Sequence, residues 1–438
     1  MKQTHLLLLL FVSLFSNAQH PTDSIATLIR QYDYQAALRE IDSIPADSIN
    51  LQTLYLKATA LNGLSRFKEA IACFETLYAA DSSNLKIAIE LADSYKSVAD
   101  SKKSLKVYEE ALVHHPGNPF LMQLLAGAYF SNTQYDRARL YYSAACRADT
   151  STYLLKQLAA CYGKLGAVDS VIYCYEQAIR LDSADYQPVF RLAGVYQDQK
   201  KYENGIQITD AYLRNYPDNI DINRLSGYLC FLTHNYPKAV VQFLYCTGLG
   251  DTSEFVNKYL GYSYFKLNQS ENAILYLEKC LAADSTNAEL YYVLGLSYGY
   301  IQWDKSVASM NKAAALLSPS VKLTSEVYQD LSEIHTRHKK YEQGLAALVK
   351  AWELTPHDTL MLYKVGSYYD TWINDTTLAL KFYYNFMATQ KPVSASESPS
   401  DASVQTASYY IVVENRIHDL LKPPVFPVMA PDTTRVLK

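Results

Sequence analysis

One string has the spacing of a hydrolase nucleophile: Gly295-Leu296-Ser297-Tyr298-Gly299, a G-x-S-x-G. That motif works when a sharp strand-to-helix elbow exposes the serine hydroxyl beside an oxyanion hole. Here it falls in a run of helical period, and Gly295 and Tyr298 fill slots that recur along the chain as small and aromatic. No catalytic residue is assigned. His335 and His338 stand three apart and share a helix face, but no acidic pocket surrounds them. They are expected to be a solvated pair rather than a metal site. His114-His115 precede Pro116 in a turn. The seven cysteines, at 73, 146, 161, 174, 230, 246 and 280, include no C-x-x-C, so neither thiol exchange nor a paired-thiolate zinc site is supported. Their odd number excludes complete internal pairing, and they read as small apolar core residues. There is no H-E-x-x-H, no phosphate-cradling G-x-x-x-x-G-K-[ST] and no carboxylate pair that stands out as acid and base. The expectation is a protein without cofactor or metal, whose function is binding.

Composition supports that class. The chain has 438 residues, 49% hydrophobic and 19% charged, with a formal net charge of −4. The apolar content excludes wholesale disorder. The acidic balance argues against a nucleic-acid partner, which needs a basic face. Tyrosine is abundant, with 39 residues.

The elements that position these residues form an internal repeat. Leu91-Ala92-Asp93-Ser94-Tyr95, Leu125-Ala126-Gly127-Ala128-Tyr129, Leu158-Ala159-Ala160-Cys161-Tyr162 and Leu260-Gly261-Tyr262-Ser263-Tyr264 share one pattern: large apolar, small, two variable, aromatic. A small or short residue opening a second helix recurs at Ala37, Ala70, Ser104, Ala138, Val171, Gly205, Ala239, Ala273, Ser306, Gly344 and Ala379, in steps of 33, 34, 34, 33, 34, 34, 34, 33, 38 and 35. Apolar residues at i, i+3, i+4 and i+7 line one side of each helix. No single unit can bury that side, so stacking must make a continuous core. Asn84, Asp218, Asn219 and Asn287 precede first helices and are expected to cap them.

This pattern resembles the tetratricopeptide repeat, a 34-residue helix–turn–helix unit, over about residues 20–390. The closing proline of the family pattern stands at Pro116, Pro217 and Pro356, and the family's tryptophan is replaced by Leu, Tyr or Met. The resemblance implies an all-α solenoid of about eleven repeats wound as a right-handed superhelix, binding a protein or extended peptide on its concave face. The step of 38 places a longer loop at Pro319 to Ser325. Residues 391–403 (KPVSASESPSDAS) read as a linker, 404–421 as a helix capping the open end, and 422–438 as a proline-containing tail.

The N-terminus reads as a targeting segment. Lys2 precedes the ten-residue apolar run Leu6 to Phe15, and Ser16-Asn17-Ala18 suits signal peptidase, with cleavage after Ala18. That run is too short to span a bilayer, and no later run approaches a transmembrane helix. The expected product is soluble, in the periplasm or at the cell surface.

In the family's register, first-helix residues that avoid the core line the groove. The slots give Phe190, Arg224, Tyr228, Lys258, Tyr262 and Tyr292, one turn further Phe231 and Phe265, and beside them Lys156 and Arg191. Aromatics interleaved with Lys and Arg suit an extended, partly acidic peptide, and stacked aromatics also suit a glycan. The Lys-and-Asn clamp with which some relatives hold a C-terminal carboxylate is not matched, since Ala160 and Tyr262 stand where Asn would follow Lys156 and Lys258. With Arg224 and Lys258 placed outside the core, exchanging both for Glu is expected to leave helicity and melting largely intact.

Overall fold

The computed structural model describes residues 21–283, 285–318, 320–389 and 401–422. The targeting segment at 1–18, residues 391–400 of the linker and residues 423–438 of the tail lie outside them. The described chain is all-α and falls into two compact units that meet in sequence at Tyr216 and Pro217.

The first unit holds six helix pairs. They are α1 (Pro21–Arg30) with α2 (Tyr34–Asp42), α3 (Leu51–Gly63) with α4 (Phe67–Ala80), α5 (Leu85–Ser97) with α6 (Ser101–His114), α7 (Pro119–Ser131) with α8 (Tyr135–Ala148), α9 (Thr152–Lys164) with α10 (Val168–Leu181), and α11 (Tyr186–Asp198) with α12 (Tyr202–Leu213). The second unit holds five pairs and a closing helix. The pairs are α13 (Ile220–Leu232) with α14 (Tyr236–Gly248), α15 (Glu254–Lys266) with α16 (Ser270–Ala283), α17 (Ala288–Tyr298) with α18 (Trp303–Leu317), α19 (Val321–Arg337) with α20 (Tyr341–Leu354), and α21 (Thr359–Tyr368) with α22 (Thr376–Thr389). The closing helix is α23 (Asp401–Leu420), which opens three residues before the expected Val404 and packs on α21 and α22. Within each unit every helix packs on its predecessor and its successor. In the second unit the first helices α13, α15, α17 and α19 also touch in series, forming one inner face.

Local chemistry explains the pairs. First helices begin at side-chain caps: Asn50, Asn84, Asn118, Asn219 and Asn287 each accept the backbone N–H three residues on. Asp218 does not cap; its carboxylate accepts the Tyr245 hydroxyl at 2.8 Å. After most first helices one residue turns left-handed, at Tyr32, Ser65, Ala99, Thr133, Gly166, Lys200, His234, Asn268, Lys339 and Asn374. Only Gly166 is spared the Cβ clash of that conformation. The eleven small or short residues that set the period are all buried, each where a second helix crosses its partner.

The step of 38 has a different cause from the expected loop. Val321 to Ser325 are helical, and α19 runs for 17 residues, so the extra length is an added helical turn. A second irregularity follows α21. Tyr369–Ile373 form a π-helical turn that ends at left-handed Asn374.

Tyrosines bind one pair to the next. The hydroxyls of Tyr95, Tyr129 and Tyr298, on first helices, donate to Glu75, Glu109 and Glu278 on the preceding second helices, 20 residues earlier in each case. Lys103, Arg137 and Lys305 lie over the same three rings at 5.0, 5.5 and 5.2 Å. Burial first, then the glutamate, raises the pKa of each of these tyrosines, with Tyr129 pushed up to about 12. Tyr78 is likewise pushed up to about 12, by burial and by Glu110.

Two predictions follow from this packing. A tyrosine whose folded pKa exceeds the unfolded value of about 10 contributes stability fully below that pH and loses it as pH rises through the folded value. The melting temperature should therefore fall between about pH 10 and 12, with a late tyrosinate absorbance step; a flat melting curve there, with all tyrosines titrating near 10, would show that the tyrosine–glutamate contacts do not stabilise the fold. The second concerns two helical glycines. A Cβ on Gly194 meets nothing within 4 Å, whereas one on Gly261 would stand 2.7 Å from Leu277 Cγ. Gly194→Ala should stabilise by about 1 kcal/mol and Gly261→Ala destabilise by roughly 1–3 kcal/mol, read from chemical denaturation.

Candidate functional site

The residues with chemical potential in the sequence are mostly absorbed by packing. Ser297 is fully buried inside α17 and its hydroxyl donates to the Val293 carbonyl at 2.8 Å, so no substrate carbonyl can reach it. His335 is buried, against the expectation of a solvated pair. Trp303 Nε1–H donates to its Nδ1 at 3.3 Å, and burial together with His338 lowers its pKa. His338 Nε2–H donates to the Gly299 carbonyl at 2.9 Å, so the two histidines tie successive repeats together. All seven cysteines are free thiols. Burial pushes Cys161, Cys246 and Cys280 up to about 11 and Cys174 to about 12, which leaves poor nucleophiles. Among the described residues no group of three or more His, Cys, Asp and Glu is arranged to hold a metal ion.

Three of the four cations expected to line a groove have carboxylate partners within the chain. Lys156 Nζ, on α9, lies 2.7 Å from Asp185 and 3.1 Å from Gln187 at the start of α11. Lys258 Nζ, on α15, lies 3.1 Å from Glu289 on α17 and 5.4 Å from the Tyr262 ring centre. Arg224, on α13, grips Asp251 Oδ2 through Nε at 3.0 Å and Nη2 at 2.8 Å, just before α15. The Asp251 side chain is only 7% exposed, against 36% for Arg224. Burial alone would raise the Asp251 pKa; hydrogen bonds from Ser253 and the Arg224 charge overcome it and hold the carboxyl below its usual range. Arg191 is exposed. The sequence signal for these pairs is an acid 27 to 31 residues after each first-helix cation, a little under one repeat on.

The aromatic slots divide. Tyr262 is buried rather than groove-lining. Tyr292 donates to Asp330 at 2.5 Å and spans α17 to α19. Phe265 is half-buried with Lys266 over its ring, and Phe190 is 38% exposed on α11. Tyr228 and Phe231 on α13 belong to an edge-to-face cluster around Tyr259 on α15, with ring centres 4.8 and 5.1 Å away. Phe255, which the sequence slots did not select, closes it at 4.7 Å and is 37% exposed. Burial and the Tyr228 hydroxyl push Tyr259 up to about 12. This cluster lies on the inner face made by α13 and α15.

A second feature of the second unit escaped the sequence reading. A cavity of about 790 Å³ lies between α19 and α21, walled by Tyr341 and by Trp372 of the π-helical turn.

Two family models described as tetratricopeptide repeat match residues 89–151 and 260–287. The chain is a tetratricopeptide-repeat protein with many helical repeats. The tetratricopeptide repeat protein 21A of Mus musculus is 29% identical over 122 residues, and that of Homo sapiens 29% over 119. Those alignments take in 26% and 25% of this chain and only 9% of each relative. Among solved structures, a tetratricopeptide repeat protein from Parabacteroides merdae is 15% identical, covering 56% of this chain and 98% of its own, with a TM-score of 0.39. YrrB, described as having an unusual peptide-binding site, is 17% identical, covering 43% and 96%, also with a TM-score of 0.39. Among the described residues no helix is long and apolar enough to cross a membrane.

The ion pairs revise the expectation for the charge exchange. Arg224→Glu places a carboxylate against buried Asp251 and should cost roughly 1–3 kcal/mol, while Lys258→Glu, facing exposed Glu289, should cost under about 1 kcal/mol. In the parent, the Asp251 contribution is present above about pH 4 and is lost as pH falls through the lowered folded value. Thermal melts of both variants check this; equal small shifts would show that Asp251 does not depend on Arg224.

Proposed function

We propose that the chain is a non-enzymatic, exported scaffold or adaptor of the cell envelope, which holds an extended segment of a partner protein along the inner face of the first helices of its second unit. Repeats of this family form general protein-interaction scaffolds. The observation that carries the reading is the aromatic cluster of Tyr228, Phe231, Phe255 and Tyr259. Its rings are packed on one another from beneath and part-exposed on top. Such rigid rings offer contact area at little entropic cost. Phe190 and Arg191 offer a similar exposed pair on α11 of the first unit. Export is supported by the charged, apolar and small-residue order of residues 2–18.

The test is crosslinked capture from envelope extract with parent bait and a Phe255→Ser variant of matched melting temperature. We expect one defined protein to be captured by the parent and lost by the variant, from bait whose mass places its first residue at Gln19. Equal capture by both baits would move the interface off this face. Bait retaining Met1 in the soluble cell interior would overturn export, and binding to oligosaccharides on an array in place of any protein would replace the peptide reading with a glycan one.

A further inference from the structure

Lys156, Arg224 and Lys258 are paired with carboxylates of the chain, whereas three cations without such a pair stand together at one place. Arg337, Lys339 and Lys364 all line the cavity between α19 and α21. Among the described residues no carboxylate oxygen comes within 4.0 Å of any of the three. Lys364 Nζ donates to the Gln329 amide oxygen at 2.5 Å, and its charge also acts on Asp330. Arg337 lies over the Tyr300 ring, 4.5 Å from its centre. Two acids also line the cavity. Asp330 is engaged by the Tyr292 hydroxyl, and its pKa is raised by burial. Glu333 keeps an open charge at the exposed edge.

The apolar wall is built with equal care. Trp372 stacks on Tyr341 with ring centres 5.2 Å apart and planes 18° from parallel, yet remains 43% exposed. An indole held in a stack and open on one side is a preformed surface for an apolar side chain. Its position depends on the π-helical turn, and that turn is braced. Asp370, within it, has a side chain only 8% exposed and receives Arg416 of α23 through Nε at 2.8 Å and Nη2 at 2.9 Å, and the Tyr383 hydroxyl at 3.1 Å. The closing helix thus fixes the wall of the cavity.

We infer that this cavity is an anchoring site for a short acidic segment of a protein partner, whose carboxylates meet Arg337, Lys339 and Lys364 while a neighbouring apolar side chain lies on Trp372. Charge complementarity selects the occupant. Three cations face two acids, of which Asp330 is already engaged by Tyr292, so the lining is net positive and favours an acidic segment over a basic one. The inference deepens the scaffold reading and rests on it, naming a second contact point, separate from the Phe255 cluster, and the chemistry it selects.

The experiment uses the mature full-length chain and a dye-labelled peptide of alternating Glu and Leu, with counterparts in which every Glu is replaced by Gln or by Lys. Fluorescence anisotropy should show binding of the Glu peptide only, weakening as salt is raised. Arg337→Gln combined with Lys364→Gln should weaken it about tenfold or more, and Trp372→Ala should do likewise, with Trp372→Phe restoring much of the loss. Phe255→Ser should leave it unchanged. Equal binding of the three peptides, no binding of any, or Glu-peptide binding that survives the double variant would each overturn the site. Loss of Glu-peptide binding in Phe255→Ser alone would overturn the cavity and keep the scaffold reading. Peptide binding that follows the cavity variants, with no envelope protein captured, would keep the site and remove the envelope partner.

Discussion

A helix pair of this length carries more apolar surface than its two members can cover, and its remaining face must be buried by the next pair. That requirement governs which residues can stand at the crossing points. The glycine slot of a first helix admits a large side chain of its own second helix, as Gly227 admits Phe243, Gly261 admits Leu277 and Gly295 admits Met310, each within contact distance of where a Cβ would be. Gly295 is therefore explained by Met310, and the fully buried Ser297 beside it by the same crossing. A string with the spacing of a hydrolase motif arises here because small residues are required on one side of a helix.

Close stacking also brings polar groups of successive repeats face to face, and the structure satisfies them across the seam. Asn62 pairs with Ser94, Lys156 with Asp185, Arg224 with Asp251 and Lys258 with Glu289, each joining one repeat to the next. The tyrosine–glutamate contacts do the same on another side of the helices. A buried charge without a partner is costly, so these pairs position the repeats even where their net worth is small. Much of the tyrosine content belongs to this seam. A cation on a first helix is thus by default a fastener, and only one that lacks such a partner is available to a ligand.

The fold was legible because the information that sets it is local and repeated. Small, large and turn residues recur at fixed offsets, and the eleven second-helix positions from Ala37 to Ala379 are all buried as the period requires. The site was less legible because its deciding information is not local. Whether Arg224 faces a ligand or Asp251 depends on a residue 27 positions away, in a loop. Tyr228 and Tyr262 sit in the same slot of successive repeats, yet one is part-exposed and the other buried, a difference that the pattern does not carry. Trp372 could not be placed at all, because the π-helical turn that carries it follows no helical or turn signature in Tyr369 to Ile373.

The two departures from the repeat period adjoin each other in space. The added turn lengthens α19, and the π-helical turn ends α21, and these two helices bound the cavity. In a regular repeat the acid that neutralises a first-helix cation arrives from the next unit at a nearly constant offset. Lys364 of α21 reaches back 35 residues instead, to the amide oxygen of Gln329 on α19. π-helical turns raise the local backbone energy and persist where surrounding contacts hold them, as Arg416 and Tyr383 hold Asp370 here. Arg337, Lys339, Lys364 and the stacked, accessible indole of Trp372 thus stand where the regularity lapses. That coincidence makes the lapse a place for recognition, and it gives the closing helix a part in forming the site as well as in covering the end of the core.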